Sequence, residues 1–188
     1  MSASVPQVHE VYDSRSVALH WITAFLVLAQ WLGAHTIDWF PRGPLRVDAR
    51  STHILIGVVL LVIIVFRIVW RLTHAQRPAP VGPKAIRTVA PAVHWALYGV
   101  VIAVLAAGVV NVLVRGDSIF GLFKVPAFHP GDKVLRDQVG SIHEVLANIV
   151  LVVAGLHAVS ALIHSWVSRD AVLVRMIPAL RREKDGRV

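Results

Sequence analysis

The stretch His143-Glu144-Val145-Leu146-Ala147-Asn148-Ile149-Val150-Leu151-Val152-Val153-Ala154-Gly155-Leu156-His157-Ala158 decides the fold. After Glu144 it carries no charged residue until Arg169, and the apolar run extends from Ile142 to Val167. A helix of that length reaches the roughly 20 residues needed to cross a hydrocarbon core, and it has no polar stripe to turn toward water. The two imidazoles are its exceptions, and inside a bilayer a polar side chain needs a partner or a task. They stand fourteen residues apart. At helical geometry that is about 21 Å of rise with the two side chains within about 40° of one face. A single span thus presents two imidazoles at two depths.

Three further runs have the same character, so the spans are read as 17–36, 53–70, 90–114 and 142–167. The fold expected is all-α: a four-helix transmembrane bundle forming a single membrane domain over residues 1–188, with a short interfacial helix after the fourth span. Of the 188 residues 56% are hydrophobic, and the mean hydropathy is +0.65. The formal charge of +8 sits almost wholly between the apolar runs, with only 16% of residues charged. It reads as loop charge rather than a nucleic-acid surface. Without cysteine the chain has no disulfide, no thiolate-held iron–sulfur cluster and no covalent haem attachment. The first sixteen residues have no early Lys or Arg and the first run no convincing cleavage site, so the first span is expected to stay in place.

Asp38 to Pro44 forms a breaker-rich aromatic turn, and Pro78 to Pro83 a stiff linker. Arg115 to Gly140 is the longest connection, with room for a short surface helix. Counting Lys and Arg by side gives eleven flanking the termini and the second connection, against seven in the first and third connections. That bias places both termini in the cytoplasm. Asp170 to Leu180 alternates apolar and basic residues and is expected to lie along the inner face.

Each imidazole of the fourth span needs a partner at its own depth. In this topology His143 lies near the outer surface with His53, at the outer start of the second span, while His157 lies near the inner one with His20. Two imidazoles on either side of an iron leave no open coordination position, which suits electron transfer. Spacing alone also admits His94, at the inner start of the third span, His164, two turns beyond His157, and His35. Gly57 and Gly155 can let a flat ring approach or simply let helices pack. Arg67, fourteen residues after His53, reaches the inner level, where a haem propionate would neutralise it or the side chain snorkels to the surface. Glu144 reads as a rim residue, and the tryptophans as interfacial anchors.

These residues resemble the bacterial cytochrome b561 family, the four-helix type of inner membranes. The resemblance runs from Tyr12 to Pro178. It is carried by Ala18-Leu19-His20-Trp21, Thr52-His53-Ile54-Leu55-Ile56-Gly57, Arg67-Ile68-Val69-Trp70-Arg71-Leu72, His143-Glu144-Val145-Leu146-Ala147-Asn148, Gly155-Leu156-His157-Ala158 and Leu173 to Pro178. It implies two haem b groups, the inner iron on His20 and His157 and the outer on His53 and His143. It also implies ubiquinone as partner and, for some relatives, oxidation of periplasmic superoxide.

On that reading Arg46, Arg50, Lys133 and Arg136 steer the anion toward the outer centre, while His164 and His94 meet the quinone on the inner side. The rival within the family is a membrane subunit passing electrons between a dehydrogenase or hydrogenase and the quinone pool. A histidine-based metal transporter is disfavoured because no Asp or Glu lies deep in a span.

Overall fold

The computed structural model describes residues 12–74, 84–166, 173 and 175–177, with only the backbone of 84–87 and of 164. Four long helices make up most of it: α1 (Ser14–Thr36), α2 (Pro44–Thr73), α3 (Lys84–Arg115) and α4 (Lys133–Trp166). All four are long and apolar enough to cross a membrane. They run up and down in chain order; α1 lies along α2 and α3 along α4, and the α2–α3 and α1–α4 contacts close the ring. One end carries the α1–α2 and α3–α4 connections and is called the hairpin end. The other, terminal end carries the start of α1 and the end of α4. The Pro78–Pro83 linker and the termini lie outside the described residues, as does most of the segment expected on the inner face. Of that segment residues 173 and 175–177 are described: the Met176 N–H donates to the Leu173 carbonyl at 3.0 Å, and the Trp21 indole N–H donates to the Met176 carbonyl at 2.8 Å.

The helices outrun the apolar stretches. Both α2 and α4 begin nine residues before the span read from hydropathy, because Pro44 is preset for a first helical turn and the polar residues after it and after Lys133 are good helix formers. Asp13 caps α1, its carboxylate accepting from the Ser16 N–H at 2.9 Å and from the Trp70 indole at 3.1 Å. Burial works to raise the Asp13 pKa, but these hydrogen bonds outweigh it and hold the carboxyl below its usual range.

The interior is a thin layer, and its position matters. Leu60, Val101 and Val150 are buried, and each lies seven residues from the residues that mark the two histidine levels on its helix: His53 and Arg67 on α2, Gly108 and His94 on α3, His143 and His157 on α4. Ile64 and Tyr98 complete the cluster. Outside it the surface is greasy, with Phe25, Val62 and Leu156 exposed, as lipid-facing helices require.

The long connection contains no surface helix. It folds as a two-stranded hairpin, β1 (Ser118–Ile119) against β2 (Phe123–Lys124). Gly116 turns the chain into it with φ +65, and a Cβ there would meet the Ala127 Cβ at 2.7 Å. Ser51, 0% exposed, fastens the hairpin to α2. Its hydroxyl accepts from the Phe120 N–H at 2.8 Å and lies 3.2 Å from the Ser118 carbonyl. Ser51→Ala removes the acceptor of the Phe120 N–H, and because Phe120 is partly exposed the cost is that of one net hydrogen bond, about 0.5–1.5 kcal/mol. The expected result is faster amide hydrogen exchange at Phe120 with the α4 amides unchanged; equal acceleration throughout would show that Ser51 supports the whole bundle.

Candidate functional site

Helical spacing brings the four histidines together in two pairs. The His53 and His143 rings lie 6.2 Å apart between centroids, toward the hairpin end, and His20 and His157 lie 6.4 Å apart toward the terminal end. An iron bound in line by two imidazoles, with bonds of about 2 Å and about 1.1 Å from nitrogen to ring centre, requires a separation near 6.2 Å. Both pairs have this spacing. Along α4 the two levels are about 21 Å apart, with the Leu60–Val101–Val150 layer between them.

Local contacts suit the rings to metal binding. His143 Nδ1 lies 3.0 Å from the Val104 carbonyl, so it donates there and leaves the Nε2 lone pair for a metal. A Cβ on Gly108 would sit 3.0 Å from His143 Cε1, so any side chain at 108 would push on the ring. His53 Nδ1 is buried and has no hydrogen-bond partner among the described residues. Gln30 fixes the backbone of that turn, its side-chain amide donating to the His53 carbonyl at 2.9 Å. A Cβ on Gly57 would meet the same amide at 3.1 Å, so Gly57 makes room for α1 rather than for a ligand. At Gly155 a Cβ would meet nothing within 4 Å. Asn148 accepts the Trp31 indole N–H at 2.9 Å, so this tryptophan ties α1 to α4.

At the terminal-end level, Arg67 Nη2 lies 3.0 Å from His20 Nδ1, and its guanidinium lies 5.4 Å from the ring centre of buried Tyr98. His94 is closer to His157 than His20 is, at 5.3 Å, which is too short for an iron in line between the rings. Its Nδ1 lies 2.7 Å from the Ala90 carbonyl. His35 is turned back on its own helix, 2.8 Å from the Trp31 carbonyl. The His164 side chain lies outside the described residues, and Glu144 is exposed.

The four cations expected near the hairpin-end pair separate into two groups. Arg46 pairs with Asp38 at 3.3 Å and donates to the Phe40 carbonyl at 2.8 Å, pinning the first connection. Arg50 pairs with Asp117 at 3.4 Å, and Arg115 approaches the same carboxylate at 3.5 Å. Lys133 and Arg136 instead line an open cavity of about 260 Å3 with Arg115 and Asp137. The roles of Gly108, Gln30 and Asp117 are not legible in the sequence, because His143, His53 and Arg50, which they meet, are remote in the chain.

Four membrane-length helices holding two stacked histidine pairs define a membrane protein of the haem-binding electron-transfer class. The model that describes the prokaryotic cytochrome b561 family matches residues 11–179, nearly the whole chain. The chain belongs to this family, whose members are membrane electron-transfer proteins that bind haem b. It is 30% identical over 177 residues to a probable superoxide oxidase, CybB, of Yersinia pestis, covering 93% of this chain and 99% of that one. It is also 30% identical to cytochrome b561 homolog 2 of Escherichia coli K12, over 89% of this chain and 92% of that one. Cytochrome b561 homolog 1 of the same organism is 27% identical, over 89% and 97%.

Proposed function

We propose that this chain is a di-haem b cytochrome of the bacterial inner membrane that takes electrons from superoxide at its hairpin end, facing the periplasm, and delivers them to ubiquinone. The observation that carries the reading is the pair of imidazole separations, 6.2 and 6.4 Å, at two depths of one bundle. His53 and His143 hold the outer haem iron, His20 and His157 the inner. When bound, each haem supplies a one-electron carrier with no open coordination position. Arg67 is placed to meet a propionate of the inner group, an anion that offsets the cost of a guanidinium in the membrane.

The open cavity at Arg115, Lys133 and Arg136 raises the local concentration of a small anion, and Arg46 and Arg50, already paired, add to the field. His94, whose ring lies 5.3 Å from that of His157, and His164, seven residues beyond His157 in the sequence, are the residues assigned to hydrogen-bond a quinone oxygen and pass protons. Two superoxide ions each lose one electron and leave as dioxygen; the quinone gains two electrons and two protons. The name of the Yersinia pestis relative agrees with this reading.

The test mixes purified protein, in detergent, with an enzymatic superoxide source and a soluble ubiquinone. Haem reduction by superoxide followed by quinone reduction is expected, both abolished by superoxide dismutase. Haem that stays oxidised in the superoxide flux would end the oxidase reading and favour a subunit fed by a dehydrogenase or hydrogenase.

A further inference from the structure

We propose that the cationic cavity at the hairpin ends of α3 and α4 seats the phosphate of an anionic phospholipid headgroup. Its depth in the membrane carries the inference. On α3 no Asp, Glu, Lys or Arg stands between Arg87 and Arg115, and Val101 is the midpoint of that interval. Val101 also belongs to the buried layer midway between the two histidine levels, so this layer marks the middle of the bilayer. Arg115 is fourteen residues from Val101 on α3, and Arg136 fourteen residues from Val150 on α4, about 21 Å along each helix. Half a bilayer measures about 15 Å of hydrocarbon, and about 20–22 Å with its headgroups. Both arginines therefore stand at the level of the lipid phosphates.

The charges of the cavity call for an anion from outside. It is open, about 260 Å3 in volume, and lined by Arg115, Lys133, Arg136 and Asp137, three cations against one carboxylate. Arg46 and Arg50 are engaged with Asp38 and Asp117, whereas among the described residues Lys133 and Arg136 form no ion pair. A guanidinium presents parallel N–H donors that fit a phosphate, and the lysine adds a point charge. The connection joining the two helices suits the rest of a lipid. Ser51, which holds Phe120, is nine residues from Leu60 and so about 13.5 Å from the middle. Phe128 donates its N–H to the Leu113 carbonyl at 2.9 Å, about 18 Å out. Both phenylalanines are exposed at these depths, as are Leu122 and Phe123 between them in the chain. Large apolar side chains so placed meet the boundary of headgroups and acyl chains. A lipid uses both features, a free phosphate ion only the first.

The test titrates the full chain, in a neutral detergent, with dioleoyl phosphatidylglycerol or dioleoyl phosphatidylcholine and counts bound lipid by native mass spectrometry. Phosphatidylglycerol is expected to bind at least about tenfold more tightly, since each cation near a membrane surface is worth about fivefold toward an anionic lipid. Lys133→Gln/Arg136→Gln should abolish the preference, and Arg42→Gln, an exposed cation of the first connection, should keep it. A double variant of native helical content that still prefers phosphatidylglycerol overturns the seat. Inorganic phosphate at millimolar concentration and fixed ionic strength is expected to leave the lipid in place; displacement by it would assign the cavity to soluble phosphate and overturn the lipid as its occupant.

A bound lipid also competes for the cations that draw superoxide. That consequence rests on the reading above; the seat itself does not. In nanodiscs, adding phosphatidylglycerol to phosphatidylcholine is expected to slow superoxide-driven haem reduction by about fivefold in the native chain and much less in Lys133→Gln/Arg136→Gln. Equal slowing in both overturns the competition. A native chain that retains phosphatidylglycerol yet ignores superoxide in either membrane would remove the oxidase reading and leave the lipid seat standing.

Discussion

Purified His143→Leu protein is expected to carry one haem per chain where the proposed native complement is two, and the haem that remains is expected to be the one at the terminal end. The expectation follows from the geometry at the hairpin-end level. His53 and His143 lie 6.2 Å apart, and among the described residues no third His, Asp or Glu joins them as a ligand group. Removing one leaves a group that is not covalently tethered, held by a single axial bond and by packing. Loss of a residue that merely hydrogen-bonds a ligand commonly costs about 10–100-fold in metal-site affinity, and loss of the ligand itself costs more. Leucine fills similar volume and does not reopen the α3 contact at Gly108.

Haem content by extraction, together with low-temperature optical and electron paramagnetic resonance spectra, checks the outcome. One set of low-spin signals should vanish and the other persist unchanged. A graded companion is Gly108→Val, whose Cβ meets His143 Cε1 at 3.0 Å. It should distort the same signals without emptying the site. Loss of both haems in a His143→Leu protein of native helical content would contradict the assignment of this histidine to one level only.

What could be read from the residues depended on how local the relevant physics is. The four spans followed from hydropathy and length, and the two depths from the fourteen-residue interval on α4, since helix rise and twist are fixed by the backbone. The pairing of His20 with His157 and His53 with His143 followed from up-and-down connection. Arg67 was placed at the terminal-end level by the same counting, and the structure sets it 3.0 Å from His20.

The rest depends on side chains that meet only once the bundle exists. Gln30 reaches the His53 carbonyl across α1 and α2, and Asp117 gathers Arg50 and Arg115 from two helices. Nothing near Gln30 in the chain announces its contact, and of the two partners of Asp117 only Arg115, two residues away, is a sequence neighbour. The sequence around Gly57 suits ligand clearance and helix packing equally, and the Gln30 amide 3.1 Å from its Cβ position decides for packing, while Gly108, the glycine that does face a histidine, has the sequence surroundings of any small residue in a membrane helix. The third connection folds as a hairpin rather than the surface helix its length allows, for another reason. Its hairpin is held by Ser51 and Gly116, and neither hydropathy nor a helical period reports such contacts.

The second large effect separates three histidines that crowd the terminal-end level. His157 has two neighbours, His20 at 6.4 Å and His94 at 5.3 Å. In-line coordination by two imidazoles needs about 6.2 Å between ring centres, so the first distance accommodates an iron and the second does not. His94 is also committed through Nδ1 to the carbonyl one turn earlier on its own helix, which keeps its ring near the α3 backbone. His20→Ala and His157→Ala are therefore each expected to remove the terminal-end haem, taking the content from two to one, while His94→Ala keeps both haems and both low-spin spectra.

If His94 meets the quinone, its loss appears elsewhere: quinone reduction slows by about 10–100-fold, the range typical of a missing general acid or base, while electron entry from superoxide stays fast and the haems accumulate in the reduced form. That accumulation distinguishes a block at the exit from damage at a ligand. Should His94→Ala lose the haem and His20→Ala retain it, the terminal-end iron would lie between α3 and α4, and Arg67, 3.0 Å from His20, would be left beside an imidazole with no metal to hold.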